Sequence, residues 1–208
     1  MVSYLPIHRR AMSLPCLLVL AGLLSSCASS AMRATPQDAG RDEVQLRAFS
    51  GPPGMQLEQA CVATGPELCF DAVDNNCNGA IDEGCGIRTG LVQFSIAWSD
   101  PTADVDLVVT DPNGETARVE EPTRLGLLKD RDCPGEGDAC HGQNTENVFL
   151  VNSPAPRGRF RVVVQLVRLG ELQPPLTVRF GARLGQRSYA STLTLDEVGD
   201  KRLLTFEL

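Results

Sequence analysis

The chain has 208 residues, of which 42% are hydrophobic, and its 26 acidic and 19 basic side chains give a formal net charge of −7. This excess of acids excludes nucleic acids as natural partners, because a phosphate backbone binds a basic surface. It also argues against a domain that lies flat on anionic lipid. We therefore expect an acidic domain that acts on, or binds to, something other than a polyanion.

The first 26 residues have the organisation of a secretion signal. Arg9 and Arg10 form a positive start, and the apolar run that follows at 14–24 is too short to span a bilayer. Leu24-Ser-Ser-Cys27 then resembles a bacterial lipobox, whose cysteine receives diacylglycerol. The next residue is alanine rather than aspartate, which for such lipoproteins implies the outer membrane. An ordinary cleaved signal with a chance cysteine is the alternative.

Removal of residues 1–26 would leave 17 basic and 26 acidic side chains, for a net charge of −9. Residues 27–58 are rich in small residues, proline and glycine and show no sustained hydrophobic period. We expect a flexible, lipid-anchored linker there. A Cys-rich module at 59–86 and a β-rich domain at 90–208 complete the predicted organisation.

Oxygen-bearing side chains recur at alternate positions between residues 74 and 82, around a glycine at the sixth position. A loop with this spacing supplies Ca²⁺ from positions 1, 3, 5, 7 and 9. Position 12 is a cysteine, so Asp82 or Glu83 has to supply any bidentate carboxylate. The expected Ca²⁺ ligands are Asp74, Asn76, Asn78, the carbonyl of Ala80, Asp82 and Glu83. The alternative is a disulfide-pinned turn whose Asx side chains make local hydrogen bonds.

Ten residues of this segment match a longer pattern: Cys69, Asp71, Asp74, Asn75, Cys77, Gly79, Asp82, Glu83, Gly84 and Cys85. With them the segment resembles the Cys-rich metal-binding motif of secreted bacterial proteins, the MopE-like repeat, in one copy. Phe70 is an insertion, and Asn76 and Asn78 replace acids, which lowers the expected affinity for a divalent ion. The resemblance also implies copper as an alternative. Copper(I) prefers thiolate or thioether ligands, and the loop contains no histidine or methionine, so calcium is favoured.

Six cysteines remain once the signal and Cys27 are set aside, and an even number in an exported chain indicates disulfides. We expect the first four to pair among themselves and the last two to close a short loop. A zinc tetrathiolate is the alternative, but the first four are eight residues apart, whereas zinc sites use close pairs. The predicted disulfide cysteines are Cys61, Cys69, Cys77, Cys85, Cys133 and Cys140.

From residue 90 onward, apolar and polar residues alternate in short runs that are separated by turn sequences such as Asp111-Pro-Asn-Gly114. This pattern predicts an all-β sandwich of roughly seven to eight strands. Through Asp104-Val-Asp106-Leu107, Asp111-Pro-Asn-Gly-Glu115 and Ala155-Pro-Arg-Gly-Arg-Phe160, segment 90–180 resembles the YfaP-like β-sandwich domain of exported bacterial proteins. That family has no assigned function.

The sandwich also contains candidates for a second metal site. Asp104 and Asp106 share one face of a predicted strand, where two like charges need a cation or an arginine. Asp130, Asp132 and Glu146 would complete the shell from loops. The alternative is that the first two are solvent-facing residues of an edge strand.

The sequence contains no motif for catalysis, such as Gly-x-Ser-x-Gly, His-Glu-x-x-His or a phosphate-binding loop. His141 is the only histidine after the signal, and its neighbour Cys140 is expected in a disulfide. We expect no enzyme, although a carboxylate pair for glycoside hydrolysis would leave no signature. Three functions remain. They are a lipid-anchored Ca²⁺-binding module that binds an envelope protein or polysaccharide, a copper-binding envelope protein, and an accessory carbohydrate-binding or hydrolase-associated domain.

Overall fold

The computed structural model describes residues 44–59, 63, 65–135, 137, 139–150 and 155–208. The predicted signal peptide, Cys27, Cys61 and the first part of the predicted linker lie outside these residues. All described residues fall in one compact unit, Gly40–Leu208. Within the described ranges there is no helix that is long and apolar enough to cross a membrane.

The described residues contain nine β-strands, which confirms the predicted all-β class. The strands are β1 (Ala48–Ser50), β2 (Val92–Trp98), β3 (Asp104–Thr110), β4 (Leu127–Arg131), β5 (Thr145–Leu150), β6 (Arg159–Arg168), β7 (Leu176–Leu184), β8 (Arg187–Leu195) and β9 (Lys201–Glu207). They form two antiparallel sheets. The first has the order β1-β9-β6-β3 and the second has the order β4-β5-β2-β7-β8.

Alternate residues of the strands face the core between the sheets, as the period of two predicts. On β6, for example, Phe160 and Val162 are fully buried, while Arg159 and Arg161 between them are exposed. The core also contains the rings of Phe94, Phe180 and Phe206, whose centroids lie 4.9 to 6.4 Å apart. Burial of a side chain of this size contributes about 1.5–3 kcal/mol.

The sequence pattern missed two strands. Strand β1 lies in the predicted linker, and it has only three residues, too few to show a period. It pairs with β9, and the ring of Phe49 lies 5.1 Å from that of Phe206. Strand β4 was missed because Lys129 occupies a buried position where an apolar residue would mark the alternation.

The structure adds two contacts to the predicted domain organisation. Residues 44–58, expected in the flexible linker, lie on the sandwich through β1 and through a β-bridge between Glu58 and Ala190. The described part of the Cys-rich segment lies in the same compact unit as the sandwich. The spacing of its cysteines and of its oxygen-bearing residues describes the loop alone. The sequence therefore gave no indication of the surface on which the loop packs.

Candidate functional site

The Cys-rich loop, here residues 65–87, covers the outer face of the second sheet. Its Ile81 is fully buried, and the carbonyl of that residue accepts a hydrogen bond from Gln93 Nε2 at 3.1 Å. The carbonyl oxygen of Ala72 approaches Gly181 so closely that a Cβ there would lie 2.2 Å away. All seven residues of β2 are therefore buried, on one face by the first sheet and on the other by the loop.

Disulfide bonds hold the loop. Cys69 pairs with Cys85 across a Cα–Cα distance of 5.4 Å, and Cys77 is disulfide-bonded as well. Outside the loop, Cys133 pairs with Cys140, as the sequence predicts. These five cysteines thus supply no thiolate for zinc or copper(I).

Two of the predicted Ca²⁺ ligands bind backbone amides. Asp74 accepts hydrogen bonds from the amides of Asn78 and Gly79 at 3.1 and 2.9 Å and from Ser188 Oγ on β8 at 2.7 Å. Asp82 is fully buried and accepts from the amides of Asp71 and Ala72. Each carboxylate therefore organises a turn, and Asp74 also ties the loop to the sandwich.

Three other predicted ligands converge. The side-chain amide nitrogens of Asn76 and Asn78 each lie 2.5 Å from Glu83 Oε1. Among the described residues, the buried Glu83 Oε2 has no hydrogen-bond partner. The oxygens of the two amides accept backbone hydrogen bonds, Asn76 Oδ1 from the amide of Asn78 at 3.0 Å and Asn78 Oδ1 from the amide of Ala80 at 2.8 Å. Either amide would have to exchange that bond to turn its oxygen toward a cation at Glu83.

The remaining predicted ligand, Ala80, is buried beside these residues, and its amide donates to Asn78 Oδ1 at 2.8 Å. In the described part of the loop, the carboxylates of Asp74, Asp82 and Glu83 do not come within 4.8 Å of one another as a set of three. A cation at Glu83 would therefore draw its oxygens from the asparagines rather than from a cluster of acids.

Sequence reasoning missed Glu67, which lies before the spaced motif. Its carboxylate accepts hydrogen bonds from the amides of Asp82 and Asn75 at 2.8 and 3.1 Å. Burial, reinforced by the nearby charge of Glu83, raises the pKa of Glu67 to about 7. Burial, reinforced by Asp71, raises the pKa of Asp82 to about 6. For both carboxyl groups, burial is thus the main cause that favours the protonated form, and a neighbouring acid adds to it.

The donor atoms of the loop are carboxylate, amide and carbonyl oxygens. These are ligands of a hard cation such as Ca²⁺. The described loop offers no histidine, methionine or free thiolate, which a softer ion such as copper(I) prefers. Glu83 Oε2, which has no hydrogen-bond partner among the described residues, is an oxygen that such a cation could bind.

The predicted second metal ligands separate into two groups. Asp130 points toward the Cys-rich loop and accepts hydrogen bonds from Asn147 Nδ2 at 2.7 Å and from the amide of Arg88 at 2.8 Å. Asp104 is half-buried, and burial together with the charge of Asp106 raises its pKa, against the opposing effect of Arg168. Neither carboxylate joins a common centre with the others.

Asp106, Asp132 and Glu146 do come together, with ligand atoms within 4.8 Å of one another. Lys129, which sequence reasoning also missed, supplies a positive charge there. Its Nζ lies 2.5 Å from Asp132 Oδ1 and 2.8 Å from Glu146 Oε2. We expected the acids to approach from loops, but Glu146 lies on β5, and the lysine that joins them lies on β4.

His141 lies directly after Cys140, whose sulfur is bound to Cys133. The backbone of His141 has a φ of 53°, in the left-handed region. Since the thiol of Cys140 is committed to a disulfide, these two neighbours do not form a thiolate–imidazole couple.

No protein-family model matches the chain, and neither a curated protein nor a solved structure matches it. The resemblances to the MopE-like repeat and to the YfaP-like domain therefore remain predictions.

Proposed function

We propose that the protein is a lipid-anchored module of the bacterial envelope whose Cys-rich loop binds Ca²⁺. The observation that carries this proposal is the convergence of Asn76 and Asn78 on Glu83, whose buried Oε2 has no hydrogen-bond partner among the described residues. A cation bound there would satisfy that oxygen. It would also favour the charged form of Glu67, whose pKa is raised by burial and, to a smaller extent, by the charge of Glu83.

In this proposal the residues of the loop have two roles. Asn76, Asn78 and Glu83 bind the cation. Asp74 and Asp82 hold the turns through backbone amides and so fix the loop on the sheet. Loops of this kind in extracellular modules bind Ca²⁺ with a Kd of about 10⁻⁴ to 10⁻³ M.

The proposed location of the module in the cell is inferred from the sequence before residue 44. The lipobox-like Leu24-Ser-Ser-Cys27 supports attachment through Cys27, and alanine after it supports the outer membrane. Several acyl chains, each contributing roughly 0.8 kcal/mol per buried CH₂, would make the attachment lasting. Replacement of this residue, Cys27→Ser, should move the protein from the detergent-extracted fraction to the soluble fraction. Unchanged membrane retention would contradict the lipid anchor.

The Ca²⁺ site is tested on the full chain in detergent, with its disulfides intact. Thermal unfolding is measured in chelator and across a Ca²⁺ titration, because a ligand that binds only the folded state raises the midpoint. We expect the midpoint of the wild type to rise with Ca²⁺ and that of Glu83→Gln to stay constant. Glu197→Gln, which alters an exposed acid on the sandwich, is the matched control and should respond like the wild type.

An equal response of Glu83→Gln and wild type would show that the loop assignment is wrong. A response to copper(I) but not to Ca²⁺ would favour the copper alternative. Metal analysis of the protein purified without chelator gives an independent readout of which ion is bound.

One observation favours the carbohydrate-binding alternative. A cleft of about 270 Å³ is lined by Phe70 of the Cys-rich loop, by Trp98 of β2 and by the ion pair of Asp71 with Arg179. An aromatic face beside polar groups is an arrangement that suits a sugar ring. If this cleft binds an envelope polysaccharide, Phe70→Ala should abolish retention on that polysaccharide without change in Ca²⁺ response.

A further inference from the structure

Basic and acidic side chains lie at opposite ends of the sandwich. At one end the carbonyl oxygen of Val44 would be 2.5 Å from a Cβ on Gly185, in the turn between β7 and β8. The amide of Arg47 donates to the carbonyl of Glu207 at 2.8 Å, and Glu207 pairs with the first residue of β6. We call this end, where the described chain begins, the anchor end. Five exposed arginines lie there: Arg47, Arg157, Arg159, Arg161 and Arg187.

The opposite end, here the far end, has acidic turns. The turns 99–103 and 169–175 meet there, because the amides of Glu171 and Leu172 donate to Asp100. The turn 196–200 joins them through Gly199, whose amide donates to the carbonyl of Leu166 near the end of β6. These three turns contain five acidic residues and no lysine or arginine. The ten residues of β6 rise by about 3.3 Å each, which puts the two ends roughly 30 Å apart.

Most arginines of the anchor end are not neutralised by a neighbouring acid. Arg159 lies 3.3 Å from Glu207. In the described part of the chain, the side chains of Arg47, Arg161 and Arg187 have no hydrogen-bond or ion-pair partner. Their positive charges are therefore open to a ligand from outside the molecule.

The basic surface is confined to one side of the anchor end. The connection from β3 to β4, residues 111–126, reaches this end on the other side, and it contains four acids and two arginines. Arg124 lies 3.0 Å from Glu115, and Arg118 lies 4.0 Å from Glu121. A negatively charged surface would thus meet the side formed by β1, the start of β6 and the turn between β7 and β8.

Two of the arginines also line a groove. It has a volume of about 610 Å³ and is lined by Arg159, Arg161, Leu203 and the three residues of β1. Leu203 is 46% exposed. Guanidinium groups bind phosphate oxygens in pairs of parallel hydrogen bonds. The groove therefore offers both charge for a phosphate and an apolar side chain beside it, which suits a phospholipid headgroup.

The distance between the two ends matters because salt screens charge. The screening length is about 8 Å at physiological ionic strength, far less than the length of β6. A charged surface at the anchor end therefore interacts with the arginines there and hardly with the acids of the far end. The net charge of the whole chain argues against binding to anionic lipid, but it does not describe this local surface.

We propose that the anchor end docks on anionic phospholipids of the membrane in which the chain is held, so that the far end points away from the bilayer. This inference rests on the proposed lipid anchor at Cys27. Residues 27–43 extend over at most about 60 Å, so the anchor keeps the sandwich near the surface. At the resulting effective concentration, a contact too weak to recruit a free protein is sufficient to orient an anchored one.

Docking in this direction leaves the cleft beside Phe70 accessible. The cleft is also lined by Trp98 at the end of β2 and by Thr177 at the start of β7, which places it toward the far end. A ligand in the space beyond the membrane would thus reach the cleft without release of the anchor end.

Hydrogen exchange of the full, lipidated chain tests the docking. The chain is reconstituted in phosphatidylcholine vesicles with and without phosphatidylglycerol. We expect phosphatidylglycerol to slow exchange in segments 44–47, 155–158 and 185–187 and to leave the turns 169–175 and 196–200 unchanged. Added salt should remove this difference, because it screens the attraction.

Charge reversal at single positions locates the contact. Arg161→Glu and Arg187→Glu remove no described ion pair, so each should reduce the slowing by phosphatidylglycerol, and the double variant should abolish it. Lys201→Glu is the matched control. Lys201 is exposed on the same face of the first sheet as Arg161, but it lies at the far end, where β9 begins. It should keep the wild-type slowing. An equal loss in Lys201→Glu would mean that only the net charge matters, and it would overturn the proposal.

Flotation of the same vesicles separates this inference from the anchor. A chain that does not float with phosphatidylcholine vesicles lacks the anchor, which contradicts the proposed function and the docking that rests on it. A chain that floats, but exchanges at the same rate in both kinds of vesicle, keeps the anchor and overturns the docking alone. Slowing of the same segments by inorganic phosphate in detergent would indicate a site for a single anion and would also overturn docking on a bilayer.

Discussion

The two faces of the second sheet differ in what covers them. The inner face packs on the first sheet through side chains such as Phe94 and Phe180. The outer face lies under the Cys-rich loop and carries Gln93, Ser95 and Asn147, all fully buried. Gln93 Nε2 and Ser95 Oγ both donate to Asn147 Oδ1, at 3.0 and 2.6 Å. The inner face is thus stabilised by buried apolar surface, and the polar side chains of the outer face are stabilised by hydrogen bonds.

This difference shows why strand alternation can mislead. Polar residues at every second position normally indicate a solvated face. On β2 the same pattern marks a second interface, because buried polar groups need partners and the loop and the neighbouring strand supply them. Buried hydrogen bonds also fix position more strictly than apolar contacts, because they depend on the direction of donor and acceptor as well as on distance.

The largest effect is expected on the inner face. Replacement of a buried ring, Phe94→Ala, should lower the free energy of unfolding by about 3–5 kcal/mol, because it leaves a cavity among three aromatic rings. Denaturant titration measures the change. Leu203→Ala, at a position that is 46% exposed, is the control and should change stability by less than about 0.5 kcal/mol. Similar losses in both variants would contradict an apolar inner core.

The next effect concerns the contact between loop and sheet. Gly181→Ala places a Cβ 2.2 Å from the Ala72 carbonyl, so the loop has to move away. We expect a loss of about 1–3 kcal/mol and faster proteolysis within the loop, with the sandwich still folded. Thr194→Ala, on the exposed side of β8, should leave the cleavage rate unchanged. An unaltered loop in Gly181→Ala would show that the two surfaces are not in contact.

A third effect concerns the charge of Asp100, which lies at the end of the second sheet and is stabilised by hydrogen bonds from neighbouring turns. Asp100 accepts hydrogen bonds from the Thr102 hydroxyl and from the amides of Thr102, Leu172 and Glu171. These bonds lower its pKa from 3.8 to about 2. Because the folded pKa is depressed, the stabilisation is complete above pH 4 and is lost as the pH falls toward 2.

Asp100→Asn should therefore lower stability by about 1–2 kcal/mol at pH 7. The difference from wild type should shrink between pH 4 and pH 2, as followed by denaturant unfolding at each pH. A difference that stays constant over that range would mean that the charge of Asp100 does not contribute.

The smallest effect is expected for the outer-face hydrogen bonds. Ser95→Ala removes one donor to Asn147 but leaves that of Gln93, so we expect a loss of about 0.5–1.5 kcal/mol. Hydrogen exchange of loop amides should increase more than that of the core strands. Equal increases in both regions would argue against a separate, polar interface.

Much of the sandwich could be predicted from the sequence, because strands such as β6 and β7 alternate over nine or ten residues. Strand β4 could not be predicted, because its inward-facing Lys129 is explained only by Asp132 and Glu146, which the fold brings beside it. In the loop, the regular spacing predicted a shared centre for six residues, and the described contacts bring the side chains of Asn76, Asn78 and Glu83 together. It could not show that Asp74 binds amides and a serine on β8, because the Ser188 partner is more than a hundred residues away.

The pairing of β1 and β6 with β9 has a consequence for the order of folding. Strand β9 is the last described strand in chain order, yet it lies between the first strand and the sixth. The first sheet therefore cannot assemble until the C-terminal segment has been synthesised and has left the ribosome. Until then β1 has no partner strand in this sheet, and β6 has only β3.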